Sequence, residues 1–167
     1  AGGGHRYSVA VRLAEFPATG QRNPDDPLPT FAPLPFVTVE ARQGDRRGAG
    51  AFVLDSGAQI TILSSAVAFA AGLDANGNGS FDDEAIDFWT FGGVGGTVLA
   101  PRLALDYIVL PTQQGIDLVW SQPKVLVLDI DPVIGGLLGM DLLTSGWLEA
   151  IWNNLLGGEV SSQPLVS

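Results

Sequence analysis

The stretch that decides the fold is Phe52-Val53-Leu54-Asp55-Ser56-Gly57-Ala58, in which three apolar residues lead into an acid, a hydroxyl residue and two small residues. The pattern predicts a buried strand that carries a carboxylate into a tight turn. A carboxylate in an interior segment needs partners, because its desolvation is costly. Catalysis by paired carboxylates is one reason for such an arrangement. An ordinary Asp-Ser-Gly turn at a strand end is the alternative, and this segment alone leaves both open.

The composition favours one mostly β domain. Of the 167 residues, 46% are hydrophobic, which excludes a disordered chain, and 22 glycines with 11 prolines predict many turns and few long helices. The absence of cysteine excludes disulfides, thiol catalysis and cysteine-based zinc sites. No apolar run reaches the length of a transmembrane helix, about 18 residues or more, so we expect no membrane insertion.

The charge balance argues against nucleic acid as a partner. The formal net charge is −10, the isoelectric point is about 4.2, and the 8 basic residues are scattered along the chain. Binding to nucleic acid phosphates requires clusters of Lys and Arg. We therefore expect no nucleic acid binding.

The chain divides into a central domain and two terminal segments. We expect an N-terminal strand with a proline-rich arm over 1–34, a domain over 35–156 and a tail over 157–167. Within the domain, alternation of apolar and polar residues predicts a hairpin of strands 36–41 and 49–54. An alanine-rich segment predicts a short helix within 64–73. Further strands are predicted over 97–103, 105–110 and 124–128, and a C-terminal helix over 141–156.

Three segments, in this order, resemble the retropepsin-like family of aspartic proteases, the single-lobed enzymes related to retroviral proteases. The first is the hairpin that ends in Asp55-Ser56-Gly57-Ala58, which is similar to the catalytic Asp-Thr/Ser-Gly-Ala motif of that family. The second is the glycine-rich Phe91-Gly92-Gly93-Val94-Gly95-Gly96-Thr97-Val98, which is similar to a flap tip. The third runs from Ile134 to Leu143 and is similar to the apolar-apolar-Gly segment that supports the catalytic loop.

The resemblance implies a mainly β, retropepsin-like acid protease fold: a closed, barrel-like domain with a ψ-loop, a flap hairpin and a short C-terminal helix. It also implies an aspartic endopeptidase that uses no cofactor for catalysis. Asp55 would be the catalytic residue, with Ser56, Gly57 and Ala58 supporting its loop. The residues expected to cover a bound peptide are Gly92, Gly93, Val94, Gly95 and Gly96.

The motif occurs once in the chain, so the enzyme hypothesis requires a homodimer in which two Asp55 side chains meet on the two-fold axis. The alternative from another class is a retropepsin-like module that binds peptides or dimerises without catalysis. A calcium-dependent structural domain of a cell surface is a third possibility.

An insertion of about a dozen residues precedes the glycine-rich tip, over 74–85, and it resembles an EF-hand calcium loop. Oxygen-bearing residues stand at loop positions 1, 3, 5, 7 and 9, with glycine at position 6, but alanine replaces the acid usually found at position 12. A solvated Asn/Gly/Asp turn without metal is the alternative. A weak structural Ca²⁺ site would suit an extracytoplasmic location, whether secreted, periplasmic or cell-surface. The candidate ligands are Asp74, Asn76, Asn78, Ser80, Asp82 and Glu84.

Overall fold

The computed structural model describes residues 7–14, 34–55, 57–93 and 96–143. Within these ranges the chain forms ten strands and two short helices. The strands are β1 (Arg12–Ala14), β2 (Leu34–Gln43), β3 (Arg46–Leu54), β4 (Ile62–Leu63), β5 (Asp87–Gly93), β6 (Gly96–Ala104), β7 (Tyr107–Pro111), β8 (Asp117–Ser121), β9 (Lys124–Val127) and β10 (Gly136–Leu138), and the helices are α1 (Ser65–Ala70) and α2 (Met140–Leu143).

The predicted hairpin before Asp55 is confirmed. β2 and β3 pair antiparallel from Phe36 opposite Val53 to Gln43 opposite Arg46. The connecting turn contains only two residues, so both strands are longer than the alternation of the sequence indicated. The first turn residue, Gly44, has a φ of 56°, which a two-residue hairpin turn requires and which glycine adopts without strain.

A ψ-loop lies at the centre of the sheet, as the sequence predicted. β10 runs parallel to β3 and antiparallel to β4, and so separates two strands that are close neighbours along the chain. The segment that joins β3 to β4 must therefore loop around the end of β10. This segment contains Asp55, which places the acid at a position fixed by three strands.

The main core lies between the central strands and α1. Ser64 caps this helix, since its side chain accepts a hydrogen bond from the N–H of Val67. Val67 and Ala68 are buried on the face of α1 that packs against the sheet. The Cβ of any other residue at Gly48 in β3 would lie 2.2 Å from the Val67 carbonyl oxygen, so the helix packs closely on the strand.

The order of the main sheet is β5-β6-β9-β4-β10-β3-β2-β7-β8. β1 lies outside this order and pairs with the edge of β2 that is opposite β3. In the described ranges β5 and β8 are not paired, so the sheet does not close into the barrel-like form expected from the resemblance. The strand β8 was not predicted. The predicted arm and tail, the strand residues before position 7, and the part of the C-terminal helix after residue 143 lie outside the described residues. Among the described residues, no helix has the length and apolar character needed to cross a membrane.

Candidate active site

Asp55 is half-buried and lies immediately after β3, where the loop begins. Its N–H donates to the carbonyl of Leu138 at 3.1 Å, and its own carbonyl accepts the N–H of Ala58 at 3.2 Å. Its Oδ1 accepts the N–H of Gly57 at 2.9 Å. A Cβ at Gly57 would lie 3.2 Å from this oxygen, so the position favours glycine. Within the described residues no hydrogen bond reaches Oδ2, which leaves one oxygen of the carboxylate for a water or a substrate group.

The far end of the loop is held by the segment that follows β10. The N–H of Met140 donates to the Ala58 carbonyl at 2.8 Å. Thr61 is fully buried, and its N–H and Oγ1 donate to the two oxygens of Asp141 at 3.1 Å and 2.8 Å. The N–H of Gly139 donates to Thr61 Oγ1 at 3.1 Å. Since both ends of the loop are bonded to one short segment, the position of Asp55 depends on residues more than 80 positions away.

The glycines of the third segment are required by close packing of the backbone. A Cβ at Gly136 would lie 2.1 Å from the carbonyl oxygen of Ile62. A Cβ at Gly139 would lie 2.6 Å from the carbonyl group of Ile60. Both distances are far below van der Waals contact, so a side chain at either position would push β10 or α2 away from the loop.

The second segment forms a hairpin. β5 and β6 pair antiparallel along their length, and the last pair is Gly93 with Gly96. Gly96 has a φ of 127°, a conformation that residues with side chains rarely adopt, and Gly92 is in β5. The hairpin is confirmed, while its role as a flap stays a prediction. Three of the predicted site residues lie outside the described ranges: Ser56, Val94 and Gly95.

An ion pair joins the two strands at the base of this hairpin. Arg102 Nε donates to Asp87 Oδ1 at 2.7 Å, and its Nη2 donates to the other oxygen of the same carboxylate. These hydrogen bonds lower the pKa of Asp87 below its usual value and raise the pKa of Arg102. The Arg102 guanidinium also lies 5.9 Å from the ring centre of Trp89. The pair therefore links β5 to β6 next to the ring of Trp89.

A pocket of about 430 Å³ lies between the hairpin and the residues that follow the Asp55 loop. Trp89 and Arg102 belong to the hairpin side, and Lys124 is the first residue of β9. Ile60 and Leu142 contribute apolar surface from the loop side. The pocket is thus continuous with the segment that positions Asp55.

The arrangement has a counterpart among known proteins. A family model described as aspartyl protease matches residues 39–142, which is more than half of the chain and includes the whole of the loop and its support. The chain belongs to the aspartyl protease family. A solved structure, that of a retropepsin-like aspartic protease from Rickettsia conorii, is similar with a TM-score of 0.47 and 19% identity, over 86% of this chain and 89% of that chain. No curated protein matches the chain.

Within its described residues, this member of the aspartyl protease family has a ψ-loop that holds Asp55 and a glycine-rich β5–β6 hairpin, two features that the resemblance to retropepsin-like proteases implied. The sequence analysis missed the two residues that hold the loop, Thr61 and Asp141. Thr61 lies in an apolar β-branched run and Asp141 follows Gly139-Met140, so neither has a local signal of its own. The only available indication was that a polar residue within an apolar segment needs a partner.

The predicted calcium loop of this aspartyl protease is a series of turns closed by its own oxygens. Asp74 Oδ1 accepts the N–H groups of Gly77 at 2.8 Å and Asn78 at 3.1 Å, and its Oδ2 accepts the N–H of Gly79 at 2.9 Å. The side-chain oxygens of Asn76, Asn78 and Ser80 accept the N–H groups of Asn78, Ser80 and Asp82. All of these hydrogen bonds are internal to the loop.

Glu84 closes this loop from its far end. Its Oε1 accepts the N–H groups of Ala75 and Asn76, whereas its Oε2 is buried and has no hydrogen-bond partner. In the ranges that the structure describes, no three His, Cys, Asp or Glu side chains are grouped closely enough to hold a metal ion. Any cation here would therefore take part of its coordination from amide or carbonyl oxygens.

Proposed function

We propose that this protein is a homodimeric aspartic endopeptidase that hydrolyses peptide bonds with the Asp55 carboxylates of two protomers. The observation that carries the proposal is the position of Asp55 in a loop held at both ends, with Oδ1 bound to Gly57 and Oδ2 without a hydrogen bond in the described residues. Membership of the aspartyl protease family supports it. The single copy of the motif supports the dimer.

In the proposed mechanism the two carboxylates share one proton, because two charged carboxylates in contact repel each other strongly. The ionised Asp55 takes a proton from a water held between the pair, and the water attacks the peptide carbonyl. The protonated Asp55 donates its hydrogen bond to the carbonyl oxygen, where negative charge develops. Proton transfer to the amine then releases the two products.

The β5–β6 hairpin is proposed to cover the substrate as a flap. Its glycine-rich end has no bulky side chains at Gly92, Gly93 and Gly96, so the backbone of an extended peptide can approach it closely. Hydrogen bonds between strand edges and the peptide backbone would hold any sequence in register. Side-chain pockets would then determine which peptide bonds are cut.

The first prediction tests Asp55 directly. Asp55→Asn removes the acid and the base from the site while keeping the size of the side chain, so cleavage of a peptide library should fall by about a hundredfold or more. Asp45→Asn, at the exposed turn between β2 and β3, makes the same change of charge and should retain full activity. Undiminished cleavage by Asp55→Asn would overturn the proposal.

The dimer is tested by mixing. Excess Asp55→Asn protein should inhibit the wild type in proportion to the heterodimers formed, whereas excess Asp45→Asn protein should not. Unchanged activity of the wild type in this mixture would contradict a site shared between protomers. If the wild type binds peptides yet cleaves none from about pH 3 to pH 8, the non-catalytic binding module is the better description.

We also propose that the loop over 74–85 binds a structural Ca²⁺ ion and that the protein works outside the cytoplasm. The support is the buried Oε2 of Glu84, a carboxylate oxygen without a partner in the described residues, in a loop with further oxygens from Asp74, Asn76, Asn78, Ser80 and Asp82. Neutral amide ligands make such a site weak, and weak sites are filled only where calcium is abundant, as outside cells.

The second prediction concerns this loop. Calcium at about 10 mM, above the range of weak extracellular sites, should raise the melting temperature by about 5–10 °C if it exceeds the dissociation constant by a hundredfold. Glu84→Gln should reduce the shift, and Asp117→Asn, an exposed residue of β8, should leave it unchanged. An unchanged melting temperature of the wild type would contradict the calcium site and would remove the support for a location outside the cytoplasm.

A further inference from the structure

The pocket beside the Asp55 loop is lined by two basic side chains, Arg102 and Lys124. Lys124 is exposed at the start of β9 and makes no ion pair with any residue of the described ranges. On the paired strands β6 and β9, Ala104 lies opposite Lys124, so Arg102 is on the same face of the sheet as Lys124. Two of the chain's 8 basic residues therefore face one pocket of a protein whose net charge is −10.

Two of the other charged groups at the pocket are paired with each other, and the third accepts hydrogen bonds from uncharged donors. Arg102 is bound through two nitrogens to Asp87, and the positive charge of Lys124 lowers the pKa of Asp87 further. Asp141 accepts three hydrogen bonds, two from Thr61 and one from the N–H of Leu142, and it stays a negative charge that an acidic ligand must avoid. Lys124 is thus the cation of this pocket that has no ion pair in the described residues.

Three of the eight lining residues are apolar and can contact the aliphatic part of a side chain: Trp89 from the hairpin, and Ile60 and Leu142 from the loop side. Trp89 is partly exposed, and its ring centre lies 5.9 Å from the guanidinium of Arg102. The uncharged polar residues Gln59 and Gln122 complete the lining. The pocket thus combines an apolar part with polar and charged side chains that can orient a ligand.

From these observations we infer that the pocket is a specificity subsite for an acidic substrate side chain, with Lys124 as the residue that determines the preference. The methylene groups of a Glu, or the single one of an Asp, lie between Trp89 and Ile60, and the carboxylate reaches the ammonium group of Lys124. The inference rests on the proposed endopeptidase function. Because the pocket adjoins the residues after the loop, the acidic residue occupies a position that flanks the cleaved bond.

The test uses pairs of peptides that differ only by Glu or Gln at one position, scanned across the cleaved bond of a substrate selected from a library. At one flanking position, Glu should be favoured over Gln in kcat/KM by about 1.5-fold to fivefold, the range for an exposed charge pair. The preference should disappear in Lys124→Met and change to a preference for Lys in Lys124→Glu. Arg47→Glu, which changes the charge equally at an exposed position at the far end of β3, should behave as the wild type.

The outcomes separate this inference from the function on which it rests. Cleavage of the Gln peptides by all four proteins, with a Glu preference only where Lys124 is present, supports the subsite. Cleavage without any Glu preference, or a preference that survives in Lys124→Met, overturns the subsite and leaves the endopeptidase intact. Absence of cleavage of every peptide by the wild type overturns both.

Discussion

Thr61 shows how one buried hydroxyl can hold the loop that contains Asp55. Its Oγ1 donates to Asp141 and accepts from the N–H of Gly139, and its side chain is fully buried. A buried hydroxyl of this kind stabilises the fold only while its partners are present, because a buried donor such as the N–H of Gly139 would otherwise be left without an acceptor. The same contacts bring α2 against the end of the loop.

The third prediction is that Thr61→Val destabilises the protein by about 1–3 kcal/mol. Valine has the same shape, but it leaves the buried N–H of Gly139 without its acceptor and removes one of the two hydrogen bonds to Asp141 Oδ1. Chemical denaturation should be measured in the Asp55→Asn background, where self-cleavage is absent. Thr38→Val, at an exposed position of β2, is the matched control and should change stability little. Equal stabilities of the two variants would show that the Thr61 contacts contribute nothing.

Individual residues differ in how far the sequence reveals them. The place of Asp55, at the end of a strand and the start of a turn, could be predicted from the apolar residues before it and the Ser-Gly after it, while its catalytic role stays a prediction. The roles of Thr61 and Asp141 in holding the loop could not be predicted, because they depend on a hydrogen bond between residues 80 positions apart. Lys124 was assigned no role from the sequence, because only the structure shows the pocket that it lines.

An ion pair at the base of the β5–β6 hairpin adds to the pairing of its strands. Asp87 and Arg102 face each other across the first pair of the two strands, and the charge-assisted hydrogen bonds lower the pKa of Asp87. A carboxylate whose pKa is lower in the folded state stabilises that state above its unfolded pKa. The contribution is lost as the pH falls through the folded pKa.

The fourth prediction follows from that sign. At neutral pH, Asp87→Asn should have a lower melting temperature than the parent protein. The difference between the two melting temperatures should shrink as the pH falls below the usual pKa of an aspartate, about 3.9. It should vanish once Asp87 of the parent protein is protonated. Melting curves over this range, again in the Asp55→Asn background, provide the measurement. Asp117→Asn on β8 should show no such trend. A difference between Asp87→Asn and its parent that stays constant with pH would contradict the assignment.

Strands could be predicted where apolar and polar residues alternate over a long enough stretch of sequence. β2 and β3 extend over 10 and 9 residues and were found, although the turn between them is tighter than predicted. β4 and β10 have 2 and 3 residues, too few for any periodicity, and they exist because they pair with distant strands. β8 has 5 residues, is half exposed along its length and pairs only with β7 among the described strands, so little apolar pattern marks it.

The whole protein is strongly acidic, and this affects the proposed dimer. Each protomer has a formal net charge of −10 at pH 7, so two protomers repel each other before their surfaces meet. Dissolved salt screens this repulsion, because the Debye length falls from roughly 30 Å at about 10 mM to roughly 10 Å at about 100 mM ionic strength.

The fifth prediction is that the dissociation constant of the dimer decreases severalfold between these two salt concentrations, and decreases again as the pH is lowered toward the isoelectric point of about 4.2. Sedimentation of the Asp55→Asn protein measures it without loss by self-cleavage. A dissociation constant that increases with salt would show that complementary charges at the interface outweigh the overall repulsion.

The insertion of β10 between β3 and β4 has a consequence for the order in which the chain folds. The strands on either side of it are complete by residue 63, yet the strand that separates them begins at Gly136. Closing so long a stretch of chain is slow compared with forming a local hairpin. During synthesis the β2–β3 hairpin can therefore form early, while Asp55 obtains its backbone partner only after Leu138 has been added. A nascent chain therefore contains Asp55 long before β10 is available to position it. Any proteolytic activity is delayed until most of the domain has been made.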